Sequence, residues 1–198
     1  MAHHAPHTVD PETVFPVAPG KSPALRHRIQ PWGGQAAHAV LLGTPFNVGV
    51  HQAGGRAGAA GGPAALRRAL EHCGSTFDVE SGIDFHELLV ADAQDLEVLE
   101  ALRHEIERLA EKTTDQLVSP SLDVFAVAYP PGVSDPGTEG LTPEEGRGMA
   151  FEAGRAPGVG LLELTKLNPR FDSDGRTVRL AQMLLCAFLA GLTERNTT

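Results

Sequence analysis

The apolar positions of this chain fall into short runs separated by stretches rich in glycine and proline. Ala39–Leu42 is a continuous apolar run of the kind that forms a strand covered on both faces. Seven glycines follow within twenty residues, at 43, 49, 54, 55, 58, 61 and 62. Gly62-Pro63 then opens a segment in which Ala64, Ala65, Leu66, Ala69 and Leu70 form a helical stripe, closed by Cys73-Gly74. The pattern predicts strand, glycine-rich loop, helix. Asp95–Lys112 places Leu99, Leu102, Ile106 and Leu109 on one face and predicts an amphipathic helix. Further strands are predicted at about Glu87–Val90 (with Phe77–Val79 as the alternative), Leu122–Ala128 and Gly158–Leu164.

Thr142-Pro143-Glu144-Glu145 is a capping box with proline at the first helical position. It predicts a helix weakened by Gly146 and Gly148 and ending near Gly154. Arg176–Ala190 is apolar nearly all round and predicts a buried helix stopped by Gly191. Strands alternating with helices predict an α/β protein with a parallel sheet and right-handed crossovers. Residues 1–35, with six prolines and His3, His4 and His7, show no periodicity and predict a mostly irregular arm ahead of a single domain spanning 36–194.

Composition narrows the function. A length of 198 residues suits one domain with a real core. A net charge of −9 argues against general nucleic-acid or anionic-membrane binding. No apolar run reaches the length of a membrane span, and no signal-peptide pattern opens the chain. Cys73 and Cys186 read as reduced, buried thiols of a cytoplasmic protein. Cys73 follows a helix C-terminus, a position that raises a thiol pKa.

Familiar motifs are few. The glycine loop has neither GxGxxG nor GxxxxGK[ST], which disfavours a phosphate cradle, and there is no GxSxG elbow. His27, His38, His51, His72, His86 and His104 show no metal-ligand spacing. His51 stands out because it lies in the glycine loop, at the sheet end where open α/β proteins place ligands.

Three ordered segments carry a resemblance. LLGTPFNVGV at 41–50, followed by GGRAGAAGGPAALRRAL at 54–70, resembles the first strand and loop of the ureohydrolases. These are the arginases, agmatinases and formimidoylglutamases, the last being nearest in wording. Pro131-Gly132-Val133-Ser134-Asp135-Pro136 with Gly140–Glu145 resembles the family's PGVSAP and GLTPEE segments. Leu167–Asp172 with Asp174–Ala181 resembles its LNPRFDxDGRTxRLA.

The resemblance implies a three-layer fold on an eight-stranded parallel sheet of order 2-1-3-8-7-4-5-6. It also implies hydrolysis of C–N bonds in linear amidines by two bridged manganese ions. Four aspartates and two histidines hold that pair, in GGxH, DxHxD and SxDxD motifs. The metals make water a strong nucleophile at neutral pH, which a poorly electrophilic amidine carbon requires.

This chain departs from the pattern. Only Thr113–Gln116 stands where GGxH and DxHxD belong, and both motifs are absent. Asp92-Ala93-Gln94-Asp95 has no histidine and reads as the cap of the Asp95–Lys112 helix. VSPSLDVF at 118–125 lines up with VSIDLDVF, so Asp123 matches one metal ligand while Ser121 replaces another. Lys166 stands where the family has a glutamate beside the substrate. At 4 Å two unit charges interact by about 4 kcal/mol at an effective dielectric of 20, so that change of sign opposes metals and a guanidinium-like substrate alike.

Removing the middle section predicts a reduced sheet of order 2-1-8-7. No cofactor is predicted, since Asp123 is the lone surviving match to the manganese ligands. The expectation is a shortened formimidoylglutamase-like protein without dimanganese chemistry, serving as a binding or assembly subunit or in metal-free chemistry. It would associate with itself or with an intact ureohydrolase relative. One alternative is a manganese-dependent amidine hydrolase completed by another chain. The other is a small-molecule binder using Asn47, His51, Gly54, Gly55 and Arg56.

Overall fold

The computed structural model describes residues 22–47, 50, 52, 54–95 and 116–197. The elements run β1 (Ile29–Pro31), β2 (Ala39–Gly43), α1 (Gly62–Glu71), β3 (Phe77–Asp78), β4 (Ile83–Asp84), β5 (Val90–Asp95), β6 (Gln116–Val118), α2 (Pro143–Arg155), β7 (Val159–Leu162) and α3 (Arg176–Thr197). The result is α/β, with parallel pairing in both of its principal sheets. β1, β5 and β2 form one sheet in the order β1-β5-β2, and β6 and β7 form another. β3 and β4 make a small antiparallel hairpin.

Each helix has a local cause. α1 begins with Pro63 in its first turn and ends at His72, whose N–H donates to the carbonyl of Ala69. α2 starts from a complete capping box: the Thr142 hydroxyl accepts from Glu145 N, and the Glu145 carboxylate accepts from Thr142 N at 2.9 Å. α3 is capped by Asp172, whose carboxylate accepts from Thr177 N at 3.0 Å and Val178 N at 2.9 Å.

α3 organises the core. Its Leu185 and Leu189 pack with Leu70, Phe85 and Val90. Its Leu180 and Leu184 pack with Leu122, Phe125 and Ala150. It satisfies the length and hydropathy of a membrane span, contrary to the sequence expectation, but 61% of that window is buried inside the fold. It is a core helix.

Several expectations need correction. Gly191 does not stop α3, which runs on to Thr197. A Cβ at Gly191 would lie 2.1 Å from the Phe151 carbonyl oxygen, and one at Gly154 would lie 2.1 Å from that of Phe188. The two glycines let α2 and α3 cross backbone to backbone. Gly146 similarly admits the ring of Phe125. The strand expected at Leu122–Ala128 lies earlier, at Gln116–Val118, and Leu122–Val124 is a 3₁₀ turn. Of the segment expected to be irregular, Leu25 is buried in the core and Ile29–Pro31 pairs with β5.

The order 2-1-8-7 is met only in its halves: β5 lies beside β2, and β6 beside β7. Among the described residues β2 and β7 do not pair. β5 packs Val90 with Leu185 and Leu189 of α3, β7 packs Val159 with Phe188, and Leu162 of β7 reaches both clusters. The helix expected over Asp95–Lys112 lies outside the described residues, except that Asp95 itself ends β5.

Candidate functional site

β6 and β7 run side by side, and their carboxyl ends carry the residues that line up with the metal motif. The ladder continues past both strands through a bridge between Ser121 and Thr165, with Leu122 N donating to Thr165 O at 3.2 Å. Lys166 follows with φ +69°, in the left-handed region that a lysine adopts at a cost of about 1 kcal/mol. Its Nζ lies 3.4 Å from Asp123 Oδ2. The Ser121 hydroxyl donates to Asp123 Oδ1. Ser121, Asp123 and Lys166 therefore meet at one point. The carboxylate that would bind a metal is held by a hydroxyl and an ammonium of its own chain.

Among the described residues the donor set does not fit a pair of manganese ions. Two divalent cations need several hard anionic or imidazole ligands. Among the described residues no three of His, Cys, Asp or Glu converge. A lysine beside the remaining carboxylate adds a repelling charge.

The glycine loop forms a second cluster, and it differs from the ligand loop considered from sequence. The Arg56 guanidinium donates to the carbonyls of Pro131, at 2.8 Å, and Val133, and lies 4.3 Å from the Phe171 ring centroid. Its backbone N–H donates to Ser134 O, and Asn168 Nδ2 donates to Arg56 O at 2.7 Å. Asn47 Oδ1 accepts from Gly58 N and Ala60 N. Gly55 N donates to Val50 O, and Gly54 takes φ +73°. Arg56 and Asn47 are thus engaged in closing loops, because charged and amide groups buried among backbone carbonyls and N–H groups must pair with them. His51 lies outside the described residues.

The aspartates at 92–95 are not a helix cap, because they belong to β5. An extra residue there shifts the register against β2, with Gln94 at φ +64°. The bulge turns Asp92 and Asp95 onto Arg67, which reaches Asp92 at 2.8 Å and also contacts Asp95. Gly43 leaves room for that pair, since a Cβ there would strike Asp95, Pro63 and Arg67.

Sequence reasoning missed the contact between Cys73 and Cys186. Cys73 Sγ donates to Ser75 O at 3.3 Å, and the neighbouring Cys186 thiol lowers the Cys73 pKa to about 6, against the opposing pull of burial. The Ser75 backbone and the Gln182 side chain also lower it. These local hydrogen bonds override the helix-end effect that predicted a raised value. Cys186 is raised well above the usual thiol range by the same contact and by burial. Their separation along the chain hid the pairing.

With its parallel α/β sheets and its closed framing loops, the chain belongs to the arginase family. The arginase-family pattern matches residues 37–119 and 99–191. Among curated proteins the chain is similar to a formimidoylglutamase of Geobacillus thermodenitrificans, 31% identical over 121 residues, which are 61% of this chain and 34% of that protein. The matched part thus spans about a third of that relative's length.

Among solved structures it is similar to Trypanosoma cruzi formiminoglutamase with Mn²⁺, with TM-score 0.75 and 19% identity, covering 88% of this chain and 99% of that chain. It is also similar to the formimidoylglutamase of Bacillus subtilis, with TM-score 0.71 and 15% identity, covering 88% and 93%. At those identities the solved structures establish the shared fold.

Proposed function

We propose that this chain serves in the cytoplasm as a binding or assembly subunit of the arginase family, without the dimanganese hydrolysis of the amidine hydrolases. The observation that carries this reading is the Lys166–Asp123 ion pair at 3.4 Å, with Ser121 on the same carboxylate. An ammonium stands where the resemblance places a glutamate beside the substrate, and a serine stands where it places a metal ligand. Association is supported by the sheet edges at β2 and β7, which carry the exposed side chains of Val40, Leu42 and Leu161.

The test is metal content and turnover of the purified chain. After incubation with Mn²⁺ and removal of free ions, less than one manganese per chain and no formamide or ammonia release from formimidoylglutamate are expected. Two manganese ions per chain with hydrolysis would overturn the proposal. Sizing at high concentration should show a dimer or larger species, and a clean monomer would remove the self-association part.

A second reading is favoured by the partial span of the Geobacillus relative. The missing ligands would come from another chain, giving an amidine hydrolase only in complex. Product release in a mixture with an intact arginase-family enzyme, above the rate of that enzyme alone, would establish it.

A further inference from the structure

The fold brings together the only two cysteines of the chain. Cys73 lies in the irregular segment after α1, and Cys186 lies in the middle of α3. Both pack against the cluster built on Leu70, Phe85 and Leu189. Both also line one cavity of about 240 Å³, with Phe77, Asp78, Arg147 and Met183 around them. Neither thiol is fully buried.

The walls of the cavity give it a definite chemistry. Arg147 donates to Asp78 at 2.6 Å and to Glu80 at 3.1 Å, so its charge is balanced within the wall. Phe77, Phe85 and Met183 supply apolar surface around the sulfurs. Cys73 Sγ donates to Ser75 O at 3.3 Å, and the neighbouring thiol lowers the Cys73 pKa while raising that of Cys186, which makes Cys73 the readier nucleophile. The pair thus has an attacking sulfur and a resolving sulfur in the wall of one cavity.

We propose that Cys73 and Cys186 form a redox-active dithiol, a modification site for hydroperoxides and small disulfides. With a hydroperoxide, the Cys73 thiolate attacks the terminal oxygen and the O–O bond breaks, giving Cys73 sulfenic acid and an alkoxide or hydroxide that takes up a proton. The Cys186 sulfur then attacks the Cys73 sulfur. An S–S bond forms, the S–O bond breaks, and hydroxide leaves as water with the Cys186 proton. The two sulfurs are oxidised together by two electrons, and the peroxide is reduced by the same two.

With a small disulfide, Cys73 forms a mixed disulfide and releases one thiolate. Cys186 displaces the second. In either case the bond ties the segment after α1 to the middle of α3, and a thiol reductant reverses it. The irregular backbone at 73–75 allows the adjustment that disulfide geometry demands.

The experiment treats the reduced full-length chain with a small excess of hydrogen peroxide, or with oxidised glutathione, at neutral pH. Free thiols and intact mass are then measured. Loss of both thiols, a mass lower by two hydrogens, a Cys73–Cys186 cross-linked peptide and recovery with dithiothreitol are expected. Cys186→Ser should instead stop at the Cys73 sulfenic acid, trapped by dimedone, or at the glutathione adduct. Cys73→Ser should leave Cys186 unreacted over the same time. A wild-type chain that keeps both thiols free, or carries only a glutathione adduct or sulfinic acid on Cys73, would overturn the proposal. So would cross-links formed only between chains.

Discussion

Arg56→Ala separates a loop-closing role from a ligand-binding one. The guanidinium donates to two backbone carbonyls, Pro131 O and Val133 O, and stacks on Phe171. Hydrogen bonds from a charged donor contribute about 1.5–3 kcal/mol each. A cation–π contact at a partly exposed site adds about 0.5–1 kcal/mol. Against this, Arg56 Nε is buried without a partner, a cost of about 1–3 kcal/mol that the substitution removes. The balance is a loss of about 3 kcal/mol.

With a urea slope of about 2 kcal/mol/M, that loss lowers the unfolding midpoint by about 1.5 M at unchanged slope. Arg56→Lys keeps the charge but not the planar fork, so it should lose about 2 kcal/mol. Urea melts of the three proteins, followed by far-ultraviolet circular dichroism, read the outcome. A change in Arg56→Ala below about 0.5 kcal/mol, the range of an ordinary surface substitution, would refute the reasoning and return Arg56 to the candidate ligand groups.

Three further predictions address the rest of the fold. Gly191→Ala should destabilise by about 2 kcal/mol, because the new Cβ meets the Phe151 backbone and forces α2 and α3 apart. Adding Gly154→Ala should then cost less than it does alone, whereas Gly148→Ala, with open space around it, should stabilise by about 0.5–1 kcal/mol; denaturant melts of the four variants check this. Burial pushes the Asp84 carboxyl up, but hydrogen bonds from Ser22, Thr76 and His86 N outweigh it and hold the group below the usual carboxylate range. A depressed folded-state pKa stabilises fully above the unfolded value near 4, and the benefit is lost as pH falls through the folded value. Asp84→Asn should therefore flatten the acid limb of stability against pH and cost about 1–2 kcal/mol at neutral pH, measured by melts across the acid range. Thr142→Ala should let the Glu145 carboxyl, held low by the Thr142 backbone N–H and hydroxyl, titrate back toward an ordinary glutamate, as read by carbon-13 NMR.

What the sequence made legible was local. Pro63, the Thr142–Glu145 box and the apolar run of α3 announced their helices because capping and periodicity act within one turn. Ala39–Leu42 announced β2, but not its setting: Val40 and Leu42 are exposed, where the continuous apolar run predicted cover on both faces. The errors came from long-range contacts. Gly191 carries the usual sign of a helix stop, and only the approach of Phe151 explains a glycine within the helix. Asp92 and Asp95 resemble a helix cap because Arg67, their partner, lies on another element. The family resemblance singled out Ser121, Asp123 and Lys166 separately, but their meeting depends on the pairing of Ser121 with Thr165. The thiol pair left no trace in spacing, since nothing local relates the end of α1 to the middle of α3.

The segments that carry the family resemblance are largely the segments that hold one another. Arg56 of the glycine loop holds the carbonyls of Pro131 and Val133, Asn168 holds Arg56 O, and Asn168 N donates to Gly132 O at 2.7 Å. That junction explains why so much family wording coexists with an altered metal motif: the wording encodes how the loops close, and closure needs no metal. The chemistry has to be judged at Lys166, whose neighbours Thr165 and Leu167 are pinned by bridges to Ser121 and Val133. Pinned on both sides, the lysine takes a left-handed backbone and sets its ammonium on Asp123. The fold thus makes Asp123 half of an internal ion pair, and any cation approaching that carboxylate would have to displace the lysine first.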